Sequence, residues 1–290
     1  MNSSQTMKIE KVLAGIDLGP DTGKVLAYAS LFAKGLGASL HVLHVIDFLV
    51  TPPAYLDRYI EEEEKNAEEK FGTWKDRLRE TGIEPALEVV VGRLQESFHS
   101  EIGKLKAGML VIGFQHHALR RSSSEKLIKT LEMPVLVAKG KKAESAGIGS
   151  VSIRKVLCPV DFSEAAKKAL KAAAEVASIF SSEIEVAHVV PTHVIKQKMV
   201  PGEHMDRLAE ELLGQARGDL SDLLATSGIG GEGIILEGEP PKEIISLASR
   251  NDVDLIVMGA RGHSFIRGIL IGSVTDAVLR AYPCPVLVIH

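Results

Sequence analysis

An internal repeat is the feature of this sequence that most limits its possible folds. Residues 12–17 (VLAGID) return as residues 156–161 (VLCPVD), and His44 with Val45 returns as His188 with Val189, both 144 positions later. Further matches follow in the same order, as expected for one duplicated unit with small insertions. Because 290 residues are about two ordinary domains, we predict two domains, at 1–140 and 153–290, joined by a polar linker.

Each copy alternates short apolar runs with longer amphipathic stretches, which is typical of βαβ units. We therefore predict an α/β protein with two tandem, doubly wound, five-stranded parallel sheets. Ser163 is the predicted N-cap of a helix that ends at Phe180, and a second helix is predicted over 203–226. The strands predicted in the second copy lie near 155–161, 183–190, 233–237, 254–259 and 285–290.

Composition limits the possible partners and the cellular compartment. A net charge of -4 provides no general attraction to nucleic acid or to an anionic membrane, so neither is expected as a partner. Cys158 and Cys284 are the two cysteines, which excludes a disulfide scaffold and indicates a reducing environment. The first ten residues lack the apolar core of a signal peptide, so we expect a cytoplasmic protein.

A glycine pattern near the end of the second copy resembles a phosphate-binding turn. The apolar run 255–258 (LIVM) leads into 259–262 (GARG), and nine residues later Gly272 and Ser273 begin a predicted helix. Ligands of parallel sheets lie beyond the carboxyl ends of the strands, and a helix start offers N–H groups to an anion. Ordinary turn glycines are the alternative interpretation.

Other motifs do not predict a site. Residues 228–233 fit GxGxxG but lead from a helix into a strand, and residues 19–24 resemble a Walker loop but have the wrong glycine spacing. His41 and His44 lie on opposite faces of one predicted strand, so we expect no metal site there.

Three segments carry a family resemblance, namely 159–164 (PVDFSE), 188–190 (HVV), and 258–262 (MGARG) with its downstream Gly272-Ser273-Val274. On these motifs the chain resembles a tandem universal stress protein, with the ATP-binding type of motif in the second copy. The resemblance implies an adenine nucleotide alpha-hydrolase-like fold and ATP or AMP as the ligand, with Mg²⁺ as an optional companion of the phosphates.

The resemblance also assigns roles to residues of the second copy. Asp161 would contact the ribose, and Arg261 would add a charged contact. The adenine slot would be lined by Pro159, Val160, Val189 and Met258. The phosphates would be held by Gly259, Gly262, Gly272, Ser273 and Val274. This division agrees with physics, because adenine favours an apolar slit whereas phosphates require N–H donors and small side chains.

The first copy departs from the pattern, and we predict that it is degenerate. Residues 113–116 (GFQH) replace the two-glycine turn, and Phe114 and His116 would crowd a phosphate. Asp17 and Val45 retain the adenosine half of a site, and the segment 120–124 (RRSSS) offers groups for an anion. A structural or pairing role is the favoured interpretation for this copy.

Three functions remain open at this point. The first is a nucleotide-responsive stress regulator, since no catalytic base is evident beside the glycines. The second is a slow ATPase or self-phosphorylating protein in which Ser273 or Ser264 accepts phosphate. The third is an interaction module with a structural nucleotide. Residues 285–289 predict a last strand at a sheet edge, which favours pairing of the two copies and a homodimer, besides an unknown protein partner.

Overall fold

The structure is a computed structural model that describes residues 8–47, 56–114, 123–140, 147–192, 203–262, 271–281 and 284–290. The chain divides into two compact units. The first comprises residues 1–152 with 283–285, and the second comprises 153–282 with 286–290. Each unit carries one copy of the sequence repeat.

Both units alternate strands with helices along the chain. In the first unit the described elements are β1 (Lys11–Ile16), α1 (Thr22–Leu36), β2 (Ser39–Ile46), α2 (Leu56–Glu80), β3 (Ala86–Val91), α3 (Leu94–Leu105), β4 (Met109–Gly113), α4 (Ser123–Thr130) and β5 (Val135–Ala138). In the second unit they are β6 (Lys155–Pro159), α5 (Glu164–Phe180), β7 (Glu183–Val190), α6 (Glu203–Ser227), β8 (Ile234–Glu237), α7 (Pro240–Arg250), β9 (Leu255–Gly259), α8 (Ser273–Ala281) and β10 (Val286–Ile289).

The two units have the same sheet topology. In the first unit the strand order is β3-β2-β1-β4-β5, and every neighbouring pair is parallel. In the second unit the order is β8-β7-β6-β9-β10, again with parallel pairs. The order reverses between β6 and β9, where the carboxyl ends of neighbouring strands leave a crevice. The predicted α/β class with two five-stranded parallel sheets is confirmed.

The central strands are apolar along their length because they are covered on both faces. All five residues of β9 and all four of β10 are buried. Helix α5 packs against β9 with the face that carries Ala166, Ala169, Ala173 and Val176. Small side chains on that face bring the helix close to the sheet, in particular to Gly259 at the end of β9. Both cysteines are buried.

The first helices of the two units begin at different repeat positions. Ser163 caps α5 as predicted, because its Oγ accepts a hydrogen bond from the Ala166 N–H at 3.2 Å. Gly19 stands at the corresponding position of the first unit and has no hydroxyl to offer. Helix α1 begins only at Thr22, with Asp21 before it and no side-chain cap. The Walker-like segment is therefore a turn and the start of a helix.

Other segments of the sequence also have defined places in the structure. The GxGxxG segment leads from α6 into β8. Trp74 of α2 packs on Gly23, since its Cη2 lies 2.9 Å from the place that a Cβ there would occupy. In the acidic run of α2, Glu63 is half-buried and its glutamate neighbours are exposed. The histidines and basic residues of 116–121 and Ser264 lie outside the described residues.

Membrane-spanning helices and clusters of metal ligands are both absent from the described residues. None of the helices in these ranges is both long and apolar enough to cross a membrane. Within the same part of the chain, no three His, Cys, Asp or Glu residues are grouped so that they could hold a metal ion.

A buried carboxylate ties β9 to the start of β6. Asp254 is 5% exposed, and its Oδ2 accepts hydrogen bonds from the backbone N–H groups of Arg154 at 2.9 Å and Lys155 at 3.1 Å. The Asp254 N–H in turn donates to the Lys155 carbonyl at 2.9 Å. These bonds join segments that are about a hundred residues apart in the chain and set the register of the two strands beside the crevice.

Asp254→Ala should therefore lower the free energy of unfolding by about 2 kcal/mol, because two backbone donors lose a charged acceptor. Glu183→Ala is the control: that side chain is 66% exposed and lies 3.7 Å from Lys155, so its removal should change stability by less than about 0.5 kcal/mol. Chemical denaturation followed by circular dichroism measures both. Equal midpoints for the two variants would contradict this account of Asp254.

Candidate functional site

A cavity of about 350 Å³ lies in the second unit, beyond the carboxyl ends of β6, β7 and β9. Every site residue predicted from the sequence lines it. These residues are Pro159, Val160, Asp161, Val189, Met258, Gly259, Arg261, Gly262, Gly272, Ser273 and Val274. The structure thus brings together segments that are separated by up to about a hundred residues of sequence.

Seven further residues line the cavity and were missed by the sequence analysis. They are Ala166, Ala187, His188, Pro191, Pro240, Ile244 and Thr275. Ala166, Ala187, His188 and Thr275 adjoin predicted residues or elements, so their strand and helix positions could have indicated them. Pro240 and Ile244 lie on α7, which carries no motif, although a proline pair is a common helix start.

The turn after β6 holds Asp161 in one orientation. Asp161 Oδ1 accepts two hydrogen bonds from Ser163, from its N–H at 3.1 Å and from its hydroxyl at 2.5 Å. Between them Phe162 has a φ of 64°, in the left-handed region that costs a bulky residue about 1 kcal/mol or more. The chain thereby reverses direction within three residues and places the carboxylate at the cavity wall.

His188 supports the same turn from the neighbouring strand. Its Nδ1 lies 2.8 Å from the Val160 carbonyl oxygen, and because a carbonyl only accepts, Nδ1 carries the proton. The imidazole also packs on the Phe162 ring, with 4.4 Å between the ring centroids. His188 therefore links β7 to the turn of β6 through both a hydrogen bond and a ring contact.

The three glycines of the motif have different surroundings. A Cβ on Gly259 would lie 3.0 Å from the backbone carbon and oxygen of Ala165, so helix α5 leaves no room for one. A Cβ on Gly262 would collide with Asp161 Oδ2. A Cβ on Gly272 would meet only ordinary contacts, the nearest being the Ala260 oxygen at 3.5 Å.

Helix α8 points its first turn at the cavity. Its first internal hydrogen bond runs from the Asp276 N–H to the Gly272 carbonyl at 2.9 Å. The N–H groups of Ser273, Val274 and Thr275 thus have no acceptor within the helix, which leaves them directed toward an anion. The Thr275 hydroxyl donates to the Gly259 carbonyl at 2.8 Å and ties the helix start to the end of β9.

The cavity consequently has two chemically different ends. One is apolar, formed by strand-end side chains together with Pro240 and Ile244 of α7. The other is formed by the glycine turn and the start of α8, with Arg261 nearby. A flat apolar group joined to an anionic group matches this arrangement. Cys158 is buried in β6, and this burial raises the pKa of its thiol.

Ser163→Ala should lower the free energy of unfolding by about 1 kcal/mol, because helix α5 loses its cap and Asp161 loses the hydrogen bond from the Ser163 hydroxyl, while the backbone N–H bond remains. Ser178→Ala is the matched control, since this exposed serine lies inside the same helix, where alanine is the better helix former. Thermal unfolding of both variants measures the difference. A control that is destabilised as much as Ser163→Ala would refute the capping role.

Comparison with known proteins identifies the family. The model of the universal stress protein family matches residues 8–139 and 152–290. A universal stress protein of Synechocystis is 26% identical over 291 residues, covering 90% of this chain and 92% of its own. One of Methanocaldococcus jannaschii is 31% identical over 156 residues, which are 48% of this chain and 96% of that protein.

The fold is also that of a solved member of this family. The crystal structure of a universal stress protein from Archaeoglobus fulgidus superposes with a TM-score of 0.70 at 24% identity and covers 98% of this chain and 97% of its own. This likeness confirms the predicted adenine nucleotide alpha-hydrolase-like fold. With two family matches that together span most of its length, the chain belongs to the universal stress protein family and carries two of its domains in tandem.

Proposed function

We propose that the second unit binds an adenine nucleotide, ATP or AMP, and that the protein acts as a nucleotide-responsive stress regulator. The observation that carries the proposal is the cavity itself. It collects all eleven residues that the family resemblance assigns to nucleotide binding, and it has an apolar end and an anion-binding end.

The adenine ring fits the apolar end. Val160 and Met258 are each 4% exposed and Val189 is 7% exposed, so the slot is formed by side chains that the fold already holds in place. Rigid apolar walls favour a flat heteroaromatic ring, because little side-chain freedom is lost when it binds. Pro159 and Ile244 complete these walls.

Asp161 is placed to hold the ribose. A carboxylate only accepts hydrogen bonds, and ribose hydroxyls donate them. Ser163 occupies Asp161 Oδ1 and so holds the side chain in one rotamer, while Oδ2 faces Gly262 at the cavity wall. A preorganised acceptor binds a ribose at a smaller entropic cost than a freely rotating one.

The phosphates belong at the glycine turn and the start of α8. The first-turn N–H groups and the positive end of the helix dipole favour negative charge there. Gly262 and Gly272 let the backbone approach the phosphate oxygens, and Arg261 lines the same region. A Mg²⁺ ion bound with ATP would be coordinated mainly by phosphate and water oxygens, as is usual for this metal.

Two hydroxyls at the site maintain the fold, which favours binding over catalysis, while the Ser273 hydroxyl is the group that the ATPase or self-phosphorylation alternative would use. The Thr275 hydroxyl donates to the Gly259 carbonyl, and the Ser163 hydroxyl donates to Asp161 while it caps α5. His188 uses its proton on the Val160 carbonyl. Because these groups maintain the fold, nucleotide binding without catalysis is the first candidate. A slow ATPase or self-phosphorylating protein is the second candidate, and a structural interaction module is the third.

The two domains predicted at 1–140 and 153–290 would then have different functions. The second unit would hold the ligand, and the first would serve structure or pairing. Pairing of the copies, a homodimer, a protein partner and a cytoplasmic location belong to this proposal as predictions.

Purified protein should release about one adenine nucleotide per chain when it is denatured and analysed by chromatography. Gly272→Glu should reduce this occupancy at least tenfold, because the site has room for the new Cβ while the carboxylate repels phosphate. Gly230→Glu is the matched control: it makes the same change in an exposed loop where a Cβ meets no atom within 4 Å, and it should keep the nucleotide.

The stoichiometry discriminates between the possible arrangements. Two nucleotides per chain would contradict a degenerate first unit. No nucleotide, together with no binding of added ATP, would overturn both the regulator and the ATPase hypotheses and leave the interaction module.

ATP should change the assembly state or partner binding of the wild type and leave the Gly272→Glu variant unaffected, with little release of inorganic phosphate. Light scattering and a phosphate assay on the same samples measure both properties. Phosphate release that disappears in Gly272→Glu, without any change in assembly, would favour the ATPase hypothesis instead.

A further inference from the structure

The place in the first unit that corresponds to the cavity of the second can be located from backbone hydrogen bonds that the two units share. After β3 the Gly92 N–H donates to the Ile46 carbonyl at 3.1 Å, and after β8 the Gly238 N–H donates to the Val190 carbonyl at 3.1 Å. The two loops that lead into α3 and α7 therefore leave their sheets in the same way.

The two helices also begin in register. In α3 the Ser97 N–H donates to the Arg93 carbonyl at 2.9 Å, and in α7 the Glu243 N–H donates to the Glu239 carbonyl at 3.1 Å. The next residue is Phe98 in the first unit and Ile244 in the second. These two residues hence occupy equivalent places above the sheet.

Their neighbours on the strands correspond as well. Gly15 pairs with Leu43 across β1 and β2, and Pro159 pairs with Ala187 across β6 and β7. In the second unit Pro159 and Ile244 face the same cavity. Gly15 and Phe98 thus stand where the second unit has Pro159 and Ile244.

In the first unit this space is filled by an aromatic ring. Phe98 Cζ lies 2.5 Å and Cε1 lies 2.7 Å from the point that a Cβ on Gly15 would occupy. Ile112 Cγ2 is 3.1 Å from the same point, and Ile112 is the counterpart of the cavity residue Met258. Phe98 is only 5% exposed, so its ring lies inside the unit.

The two residue pairs are complementary in size. The first unit combines the smallest residue with a large ring, whereas the second combines proline with the smaller Ile244. Because no side chain at position 15 could coexist with the Phe98 ring, Gly15 is the residue that admits it.

We propose that Phe98 occupies the adenine slot of the first unit and is the residue that prevents this unit from taking a nucleobase. The proposal rests on the proposed function, since it treats the second cavity as the adenine site. It accounts for a first unit that keeps Asp17, with Oδ1 bound to the Gly19 N–H at 2.9 Å, yet has no room for the ring that this aspartate would accompany.

Opening the slot tests the proposal directly. In full-length protein that carries Gly272→Glu, the further change Phe98→Ile introduces the residue of the second unit. Adenosine is the probe, because it needs no phosphate cradle; Gly272→Glu leaves the adenosine slot of the second unit open, so calorimetric titration should show an increase from about one to two adenosine sites per chain compared with Gly272→Glu alone. Phe71→Ile, at a buried phenylalanine of α2, is the control and should not create adenosine binding.

Closing the other slot is the reciprocal test. Ile244→Phe should reduce the nucleotide content of otherwise unchanged protein at least tenfold, whereas Leu247→Phe, a buried position of the same helix outside the cavity lining, should retain it. Circular dichroism confirms that each variant is folded. Full nucleotide content in folded Ile244→Phe would overturn the proposal, as would a folded Phe98→Ile variant that gains no adenosine binding.

The two proposals fail in distinguishable ways. If the wild-type protein binds no nucleotide, the proposed function fails, but the adenosine titration of Phe98→Ile still reports whether the first unit has a slot that Phe98 closes. If the wild type holds one nucleotide and both slot variants behave like their controls, only the role of Phe98 is refuted.

Discussion

The site depends on the carboxylate of Asp161, which accepts two hydrogen bonds from Ser163, two residues later in the chain. The bonds from Ser163 to Asp161 hold Phe162 in the left-handed region and lead from β6 into α5 through the four residues 160–163. Because α5 begins there, Ala165 reaches Gly259 at the end of β9, and His188 braces the turn from β7. The ends of three strands and the start of a helix are therefore positioned by a single short turn.

The first unit contains the same turn. The turn is therefore a property of the fold and does not by itself indicate a ligand. Asp17 Oδ1 accepts the Gly19 N–H, Leu18 has a φ of 59°, and His44 Nδ1 lies 3.0 Å from the Ile16 carbonyl. What differs is the surrounding space, which is an open cavity in one unit and the Phe98 ring in the other. The scaffold is thus repeated, while the adjoining helix places Ile244 at the cavity of the second unit and the Phe98 ring beside Gly15 in the first.

Much of the fold and the site could be predicted because the relevant signals are local. Apolar runs predicted the strands, the hydroxyl of Ser163 predicted the start of α5, and glycine spacing predicted residues that all line one cavity. Ile244 could not be found in this way, since its place depends on how α7 packs over the sheet. The left-handed Phe162 was equally hidden, because phenylalanine has no preference for that conformation, which is stabilised by the Asp161 hydrogen bonds and by the contact with His188.

Each of the three glycines of the motif is explained by a different physical constraint, so a glycine motif cannot be interpreted as a whole. Gly259 is required by the approach of α5, so packing alone explains it, whereas a Cβ on the equivalent Gly113 of the first unit would meet only ordinary contacts, the nearest being Val25 Cγ2 at 3.4 Å. Gly262 is required by Asp161, whose carboxylate fills the place of its Cβ. Gly272 alone has room for a side chain, which means that the fold does not demand a glycine there. Its small size is best explained by something that must approach the start of α8, and an anionic ligand is what the exposed N–H groups of that turn favour.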